Sequence, residues 1–300
     1  MITVFGSTNL DQIGRVSRLP KAGETVKGEG FSVAAGGKGA NQALAARRAG
    51  AEVRHVGAVG SDSFADAATD LLSSDGVDLS GLRRVEGPTG IAMILVDDAG
   101  ENVIAILPGA NGKVTPEDAE AAIGAMGEGD VLLLQQEIPQ EATERALRLA
   151  ADRGIVTILN TAPFLSTTPE IAKLASIVVA NETEFALLDG TNGDIDKLMD
   201  VWATTNRQTL IVTLGAQGAR AATPDGSFGV PALPITPVDT VGAGDTFCGY
   251  LAAGLDMKLD LEDAVERAVL AASLACLKPG AQPAIPYEAD VDGELNNGSR

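Results

Sequence analysis

Short apolar runs recur along the chain, separated by longer stretches whose apolar positions return every three or four residues. Ile2–Gly6, Val53–Val59, Val131–Gln135, Ile155–Leu159, Ile177–Val179 and Leu210–Leu214 are rich in Val, Ile or Leu and bounded by Gly, Pro, Asn or Asp. Such runs predict strands buried on both faces. Between them, Gly39–Ala49, Phe64–Asp75, Pro116–Met126, Gln140–Arg153 and Ile195–Thr205 have helical character, and Ala243–Leu255 and Glu262–Leu277 predict two closing helices. The alternation predicts an α/β fold with a mostly parallel central sheet flanked by helices.

Two stretches break this alternation. Residues 88–107 predict a hairpin, with strands Ile91–Val96 and Val103–Leu107 joined through Asp97-Asp98-Ala99-Gly100. Residues 11–33 are extended in character and carry Gly23, Gly28 and Gly30. The two insertions either pair into a small separate sheet or remain ordinary surface hairpins, and the pattern alone leaves both open. A further hairpin is expected near 219–231, turning at Pro224-Asp225-Gly226, and the polar tail from Glu288 is expected to fray.

Composition narrows the function classes. The 300 residues are 45% hydrophobic, enough for one large domain or two modest ones. A formal net charge of −19 argues against nucleic-acid partners and anionic membranes. An anionic substrate would then need local positive groups, helix N-termini or a bridging metal. Cys248 and Cys276 lie in apolar helical patterns and read as packing residues. His55, the single histidine, sits in an expected strand, so neither a zinc site nor a Ser-His-Asp triad is indicated. The start reads as a strand, and no apolar run reaches the ~18 residues of a membrane span. A soluble, cytoplasmic protein is expected.

Candidate chemistry gathers at four places. In Asp239-Thr-Val-Gly-Ala-Gly-Asp245-Thr-Phe247, Gly242 and Gly244 bracket a helix start whose N–H groups can converge on an anion. Asp245 beside it either accepts a proton from an attacking alcohol or merely caps the helix. Ala35-Gly-Gly-Lys38-Gly-Ala-Asn41-Gln-Ala43 runs a glycine cluster into a helix with one lysine and one asparagine in its first turn. This is a polar ligand site or a simple glycine-rich turn, and it is neither a Walker A loop nor a dinucleotide fingerprint. Asn9 and Asp11, Glu137, and Asn181-Glu-Thr-Glu184 follow three expected strands, where open parallel sheets bind ligands. Together they suit a polyol, with Asn181 and Glu184 placed for hydrated Mg²⁺; individually each reads as a solvated loop residue. Thr213-Leu-Gly215-Ala-Gln-Gly218 shapes a nucleotide pocket or is only a turn.

In combination, Gly-Ser-x-Asn-x-Asp at 6–11, Gly-Gly-Lys-Gly-Ala-Asn at 36–41, Asn-Glu-Thr-Glu at 181–184 and Asp-Thr-x-Gly-Ala-Gly-Asp at 239–245 resemble the PfkB family of carbohydrate kinases. The likeness runs from Ile2 to about Pro286 and is strongest to the ribokinase-like members. It implies a ribokinase-like α/β nucleotide- and sugar-binding domain over 1–10, 34–87 and 109–300. Residues 11–33 and 88–108 would form a β-sheet lid that also serves as a homodimer interface. By resemblance, Asn9, Asp11, Gly37, Lys38, Asn41 and Glu137 hold sugar hydroxyls, Asp245 is the base, and Gly242, Ala243 and Gly244 form an anion hole. Asn181, Thr213, Gly215 and Gly218, together with Gly244, line the nucleotide site, and Glu184 acts on Mg²⁺ through water. A K⁺ site is implied at Asp239, Val241, Ala275, Lys278, Gly280 and Ala284.

The implied activity is transfer of the γ-phosphoryl group of ATP to the primary hydroxyl of a pentose, D-ribose foremost, giving D-ribose 5-phosphate. Deoxyribose, fructose or an adenosine-like nucleoside are the alternative substrates, and a non-catalytic sugar-binding protein is the alternative class. Three positions depart from the family pattern. Ala284 stands where a serine is common, Val269 where a polar residue often neighbours the adenine, and Asn160-Thr-Ala-Pro163 replaces Asn-Pro-Ala-Pro.

Overall fold

The computed structural model describes residues 1–190 and 193–298, with side chains to 296. The chain opens with β1 (Ile2–Phe5), β2 (Asn9–Val16), β3 (Gly28–Gly36), α1 (Lys38–Arg48), β4 (Val53–Gly60), α2 (Phe64–Ser74) and β5 (Asp78–Val85). Then come β6 (Gly90–Val96), β7 (Asn102–Leu107), α3 (Pro116–Gly124), β8 (Val131–Leu134), α4 (Gln140–Asp152), β9 (Val156–Asn160), α5 (Thr168–Ala172), β10 (Ile177–Asn181) and α6 (Glu182–Asp189). The last part holds α7 (Ile195–Asn206), β11 (Thr209–Thr213), β12 (Ala219–Thr223), β13 (Gly226–Val230), α8 (Ala243–Asp256), α9 (Leu261–Ala275) and α10 (Glu288–Gly298).

Among the described residues, nine strands form the main sheet in the order β13-β12-β11-β10-β9-β8-β1-β4-β5. From β11 to β5 every pairing is parallel, and β12 and β13 add antiparallel at one edge. The central strands are covered on both sides, which is why they read as unbroken apolar runs. Ile2, Val4, Val131 and Leu133 point into a cluster with α1, α8 and α9. Phe5, Leu132 and Leu134 point the other way, into a cluster with α3, α4 and α7.

A second, four-stranded sheet has the order β3-β2-β6-β7, with β2 and β6 parallel and the outer pairings antiparallel. The two insertions therefore do pair with each other. Asn9 and Asp11 belong to its strand β2 rather than to a loop after β1. Three further elements differ from expectation. β5 was not foreseen, because Asp78–Val85 is a charged edge strand without a buried face. Asn181–Glu184 opens helix α6 instead of lying in a loop. As far as Gly298 the tail from Glu288 does not fray: it forms α10, whose wholly buried Val291 joins the core beside α9, and the last two residues lie outside the described ones.

The small-residue composition has one decisive use. A Cβ on Gly249 of α8 would sit 2.5 Å from the Cβ of Ala45 and 2.6 Å from the carbonyl oxygen of Gln42, both in α1. Glycine there lets the two helices touch backbone to side chain. Their N-terminal turns, carrying residues 38–42 and 242–246, consequently meet at one end of the parallel strands.

Candidate active site

Asp245 lies in the first turn of α8 and is 8% exposed. Its Oδ2 accepts from Asn41 Nδ2 and its Oδ1 from Gln42 Nε2, each at 2.9 Å. The helix opens on Gly242, held at φ 77° in the left-handed region that favours glycine. Among the described residues, the backbone N–H groups of Gly242, Gly244 and Asp245 donate to no acceptor, whereas that of Ala243 makes a 3.3 Å turn bond to Thr240. The unclaimed donors of this helix mouth are thus 242, 244 and 245, with Ala243 held only by that long turn bond.

Around this point the sequence-expected polar groups converge. Lys38 begins α1, and its backbone N–H donates to Glu137 Oε2 at 3.0 Å. The same Glu137 oxygen accepts from Ser7 Oγ at 2.6 Å. Burial alone would lower the Lys38 ammonium pKa, but the carboxylates of Asp245, Glu137 and Glu184 outweigh it and hold the pKa above its ordinary value. Asn9 is buried, and its Oδ1 accepts from Asn111 Nδ2 at 2.7 Å. Gly37, the N-cap of α1, packs on the backbone of Thr8 and Asn9. Asp11 has its pKa pushed up to about 7, first by desolvation and then by repulsion from Glu137 and Asp245, with Lys38 opposing. Its Oδ1 is buried without a partner.

Two cavities flank the helix mouth. The larger, about 560 Å³, is lined by Asn181, Thr213, Gly215, Gly218, Gly244 and Val269, among others. It has the size of a small-molecule site. Val269 presents an apolar surface there, beside Phe247 and Cys276. The smaller, about 170 Å³, is bordered by Lys38, Asn181, Glu184, Gly242, Gly244 and Asp245, and shares Asn181 and Gly244 with the larger. Asn181 and Glu184 are engaged with each other in a capping box: Asn181 Oδ1 accepts from Glu184 N–H at 2.8 Å, and Glu184 Oε2 accepts from Asn181 N–H at 3.1 Å. Thr161 Oγ1 also donates to Glu184 Oε2, at 2.9 Å. This leaves Glu184 Oε1 without a protein partner among the described residues.

The expected cation residues lie behind the helix mouth. Asp239 accepts from the N–H groups of Val241 (3.0 Å) and Gly280 (2.8 Å), tying the loop before α8 to the loop after α9. Among the described residues, the carbonyls of Asp239, Val241, Lys278 and Gly280 accept no hydrogen bond, and that of Ala275 accepts only from Lys278 outside its helix. Ala284 is buried in the adjoining turn. An oxygen-rich set of this kind suits a hard cation.

His55 is buried, bonded to Thr8 Oγ1 (2.8 Å) and the Val4 carbonyl (3.2 Å), and burial pushes its pKa down to about 4, as fits a packed, neutral imidazole. Sequence reasoning missed Gln42, Gln135, Gln282, Asn111 and Thr161. Gln42 and Gln135 did leave a signal: one follows Asn41 in the otherwise alanine-rich α1, the other follows the all-apolar run Val131–Leu134.

Comparison with known proteins agrees with this architecture. The family model described as pfkB family carbohydrate kinase matches residues 1–288. A ribokinase of Schizosaccharomyces pombe is 36% identical over 310 residues, covering 98% of each chain. The solved ribokinase of Thermotoga maritima superposes with a TM-score of 0.90 at 33% identity, covering 99% of both chains. That of Arabidopsis thaliana, complexed with ribose and ATP, gives 0.89 at 30% identity over 98% of both. The chain belongs to the pfkB family of carbohydrate kinases.

Proposed function

We propose that this protein transfers the γ-phosphoryl group of ATP to the primary hydroxyl of a pentose, D-ribose foremost, yielding D-ribose 5-phosphate. One observation carries the reading: the buried Asp245 carboxylate, bonded to Asn41, stands beside unclaimed N–H donors, at the chamber that borders Lys38 and shares Asn181 and Gly244 with the nucleotide-sized cavity. The ribose and ATP bound by the Arabidopsis relative support it.

In this mechanism the sugar hydroxyl donates to Asp245, which takes the proton as the oxygen attacks phosphorus in line. The N–H groups of Gly242, Gly244 and Asp245, at the positive end of α8, receive the charge that grows on the transferred group. Lys38 supplies local positive charge in a chain of net charge −19. Neither Asp11 oxygen has a partner among the described residues; Oδ1 is buried, and Oδ2 is left to accept from a donor such as a sugar hydroxyl. Asn9, Gly37, Asn41 and Glu137 complete the sugar side.

Mg²⁺ fits the free Glu184 oxygen through water, since this ion keeps most of its hydration and leans on substrate phosphates; bound, it would neutralise the β- and γ-phosphates. K⁺ fits the carbonyls of Asp239, Val241, Lys278 and Gly280, with Ala275 and Ala284 adjoining. Such an ion would stiffen the loop that presents Gly242 and Gly244.

The second sheet serves as the lid, because Asn9 and Asp11 are on it. It also serves as a homodimer interface. Ile104 and Ile106 are 52% and 46% exposed, and the strand register sets them on the same face as Asp11. A second copy covering that face would border the sugar site. We place the enzyme in the cytoplasm, where its nucleotide substrate is available.

A coupled ADP-release assay over D-ribose, 2-deoxyribose, fructose and adenosine, with K⁺ or Na⁺, tests the reading. Turnover is expected to be fastest with ribose and K⁺. Sugar binding by calorimetry with no ADP release from any acceptor would replace the enzyme with a binding protein.

A further inference from the structure

Behind Asp245 lie four buried side-chain amides arranged in two branches. In one, Gln42 Nε2 donates to Asp245 Oδ1, while Gln42 Oε1 accepts from Gln135 Nε2 at 2.7 Å. In the other, Asn41 Nδ2 donates to Asp245 Oδ2, while Asn41 Oδ1 accepts from Gln282 Nε2 at 3.1 Å. Gln42, Gln135 and Gln282 are wholly buried, so none of them is placed to touch a substrate from solvent. We propose that Gln42, Gln135 and Gln282 are positioning residues: they form a polarised amide relay that fixes the orientation and hydrogen-bonding state of the Asp245 carboxylate. The proposal rests on the phosphoryl-transfer reading above.

The polarity of the relay follows from chemistry. An ionised carboxylate only accepts hydrogen bonds. It therefore obliges Asn41 and Gln42 to present their NH₂ groups inward, which turns their oxygens outward. Those oxygens in turn oblige Gln282 and Gln135 to present NH₂ groups. The outer oxygens, Gln135 Oε1 and Gln282 Oε1, are then left buried with no partner among the described residues. Unpaired buried acceptors are costly and rare. Apolar residues of the same size would have avoided the cost, so the relay is maintained against stability. Its benefit is at the carboxylate, which meets one fixed donor on each oxygen and keeps its remaining lone pairs for the sugar hydroxyl.

The fold protects the arrangement from two sides. A Cβ on Gly6, at the end of β1, would sit 2.0 Å from Gln135 Oε1, so the residue there leaves room for the amide. Arg48, ion-paired to Asp75 at 2.6 Å, donates to the carbonyls of Gln282 and Ile285 and pins the segment that carries the second branch.

Gln135→Glu tests the relay from its far end, without contacting Asp245. The carboxylate introduced there only accepts when ionised, so Gln42 must turn its NH₂ outward and set its oxygen against the Asp245 carboxylate. Burial raises the pKa of the introduced carboxyl, so the variant is followed up to pH 10, where we expect kcat to fall about tenfold to a hundredfold, the scale set by misplacing a catalytic group, with the sugar KM within about threefold of wild type. At pH 5.5 the introduced carboxyl, once protonated, can again donate to Gln42 Oε1, so the ratio of variant to wild-type kcat should rise. The charged groups around this point are Asp11, Lys38, Glu137, Glu184 and Asp245; they are common to both proteins, so their own titration cancels in that ratio.

Gln282→Met reads the second branch and should lower kcat at unchanged sugar KM even if Gln135→Glu does not fold. Wild-type kcat in Gln282→Met, or in folded Gln135→Glu throughout pH 5.5 to 10, would overturn the relay. Absence of sugar-dependent ADP release from the wild-type protein would instead overturn the kinase reading, so the two failures are distinguishable.

Discussion

On the floor of the site, where α1 meets α8, the Asp245 carboxylate accepts two amide hydrogen bonds and is sealed by helices touching at Gly249. On the four-stranded sheet, the Asp11 carboxylate has no partner among the described residues, and on the same face Ile104 and Ile106 remain exposed. On the proposed reading both regions carry an acid for the same sugar, yet only the first is finished by its own chain. The floor holds one geometry before any ligand arrives. The sheet, on the same reading, would be completed by sugar on one carboxylate and by a second subunit on its apolar surface. Preorganisation thus sits where phosphoryl transfer would occur, and adaptability sits where substrate must enter.

Removing the acid from each region should break the contrast most sharply. Asp245→Asn is expected to lower kcat about 10³-fold, within the range for loss of a general base, with little change in sugar KM. Single-turnover ADP release measures it, and near-wild-type turnover would remove Asp245 from the chemistry. Asp11→Asn should act on binding instead. Losing a charged acceptor for a sugar hydroxyl should raise the sugar KM about tenfold to a hundredfold, with a smaller effect on kcat. If the two variants gave the same pattern, the division between a reacting floor and a binding sheet would be lost.

The apolar surface of the sheet supplies a third test. Ile104→Asp should leave the fold intact, since the residue is half exposed, while light scattering should show a dimer for wild type, as proposed, and a monomer for the variant. The sugar KM should rise by about threefold, an order-of-magnitude expectation from losing the cover over one face of the lid. A monomeric wild-type protein would show that the sheet needs no partner.

The same two regions differed in how far the sequence disclosed them. The main sheet was legible because strands buried on both faces are continuous apolar runs, and their ends follow within one or two residues. The Gly242–Asp245 turn and the Gly36–Asn41 turn were legible because glycines running into a helix have few other uses. β5 was hidden, because Leu79, Leu82 and Val85 fall three residues apart, among Ser, Gly and Arg, on an edge strand that buries no full face. The polar ending of α10 concealed a helix that one residue, Val291, anchors. The relay was concealed for a different reason. Asn41 and Gln42 are neighbours, but Gln135 and Gln282 come from distant segments, and only the folded chain shows that their amides meet.

The smallest expected effect concerns stability. In the folded protein the Asp11 pKa is pushed up to about 7 from an ordinary value of 3.8, chiefly by desolvation. Between those values the folded chain binds more protons at this site than the unfolded chain, so this contribution to stability falls as pH rises. It is fully present below about pH 4 and is gone once pH has passed 7. Asp11→Asn carries no such charge. Its Tm should therefore match wild type near pH 4.5 and exceed it by a few degrees, roughly the shift of a ~1 kcal/mol change, at pH 8. Saturating ribose should raise the wild-type Tm at pH 8 more than that of Asp11→Asn, because the sugar supplies the missing donor only where a carboxylate awaits it. Differential scanning fluorimetry across pH, with and without ribose, reads all of this. A variant less stable than wild type at pH 8 would mean that Asp11 is satisfied by its own sheet, and that the sheet is as complete as the floor.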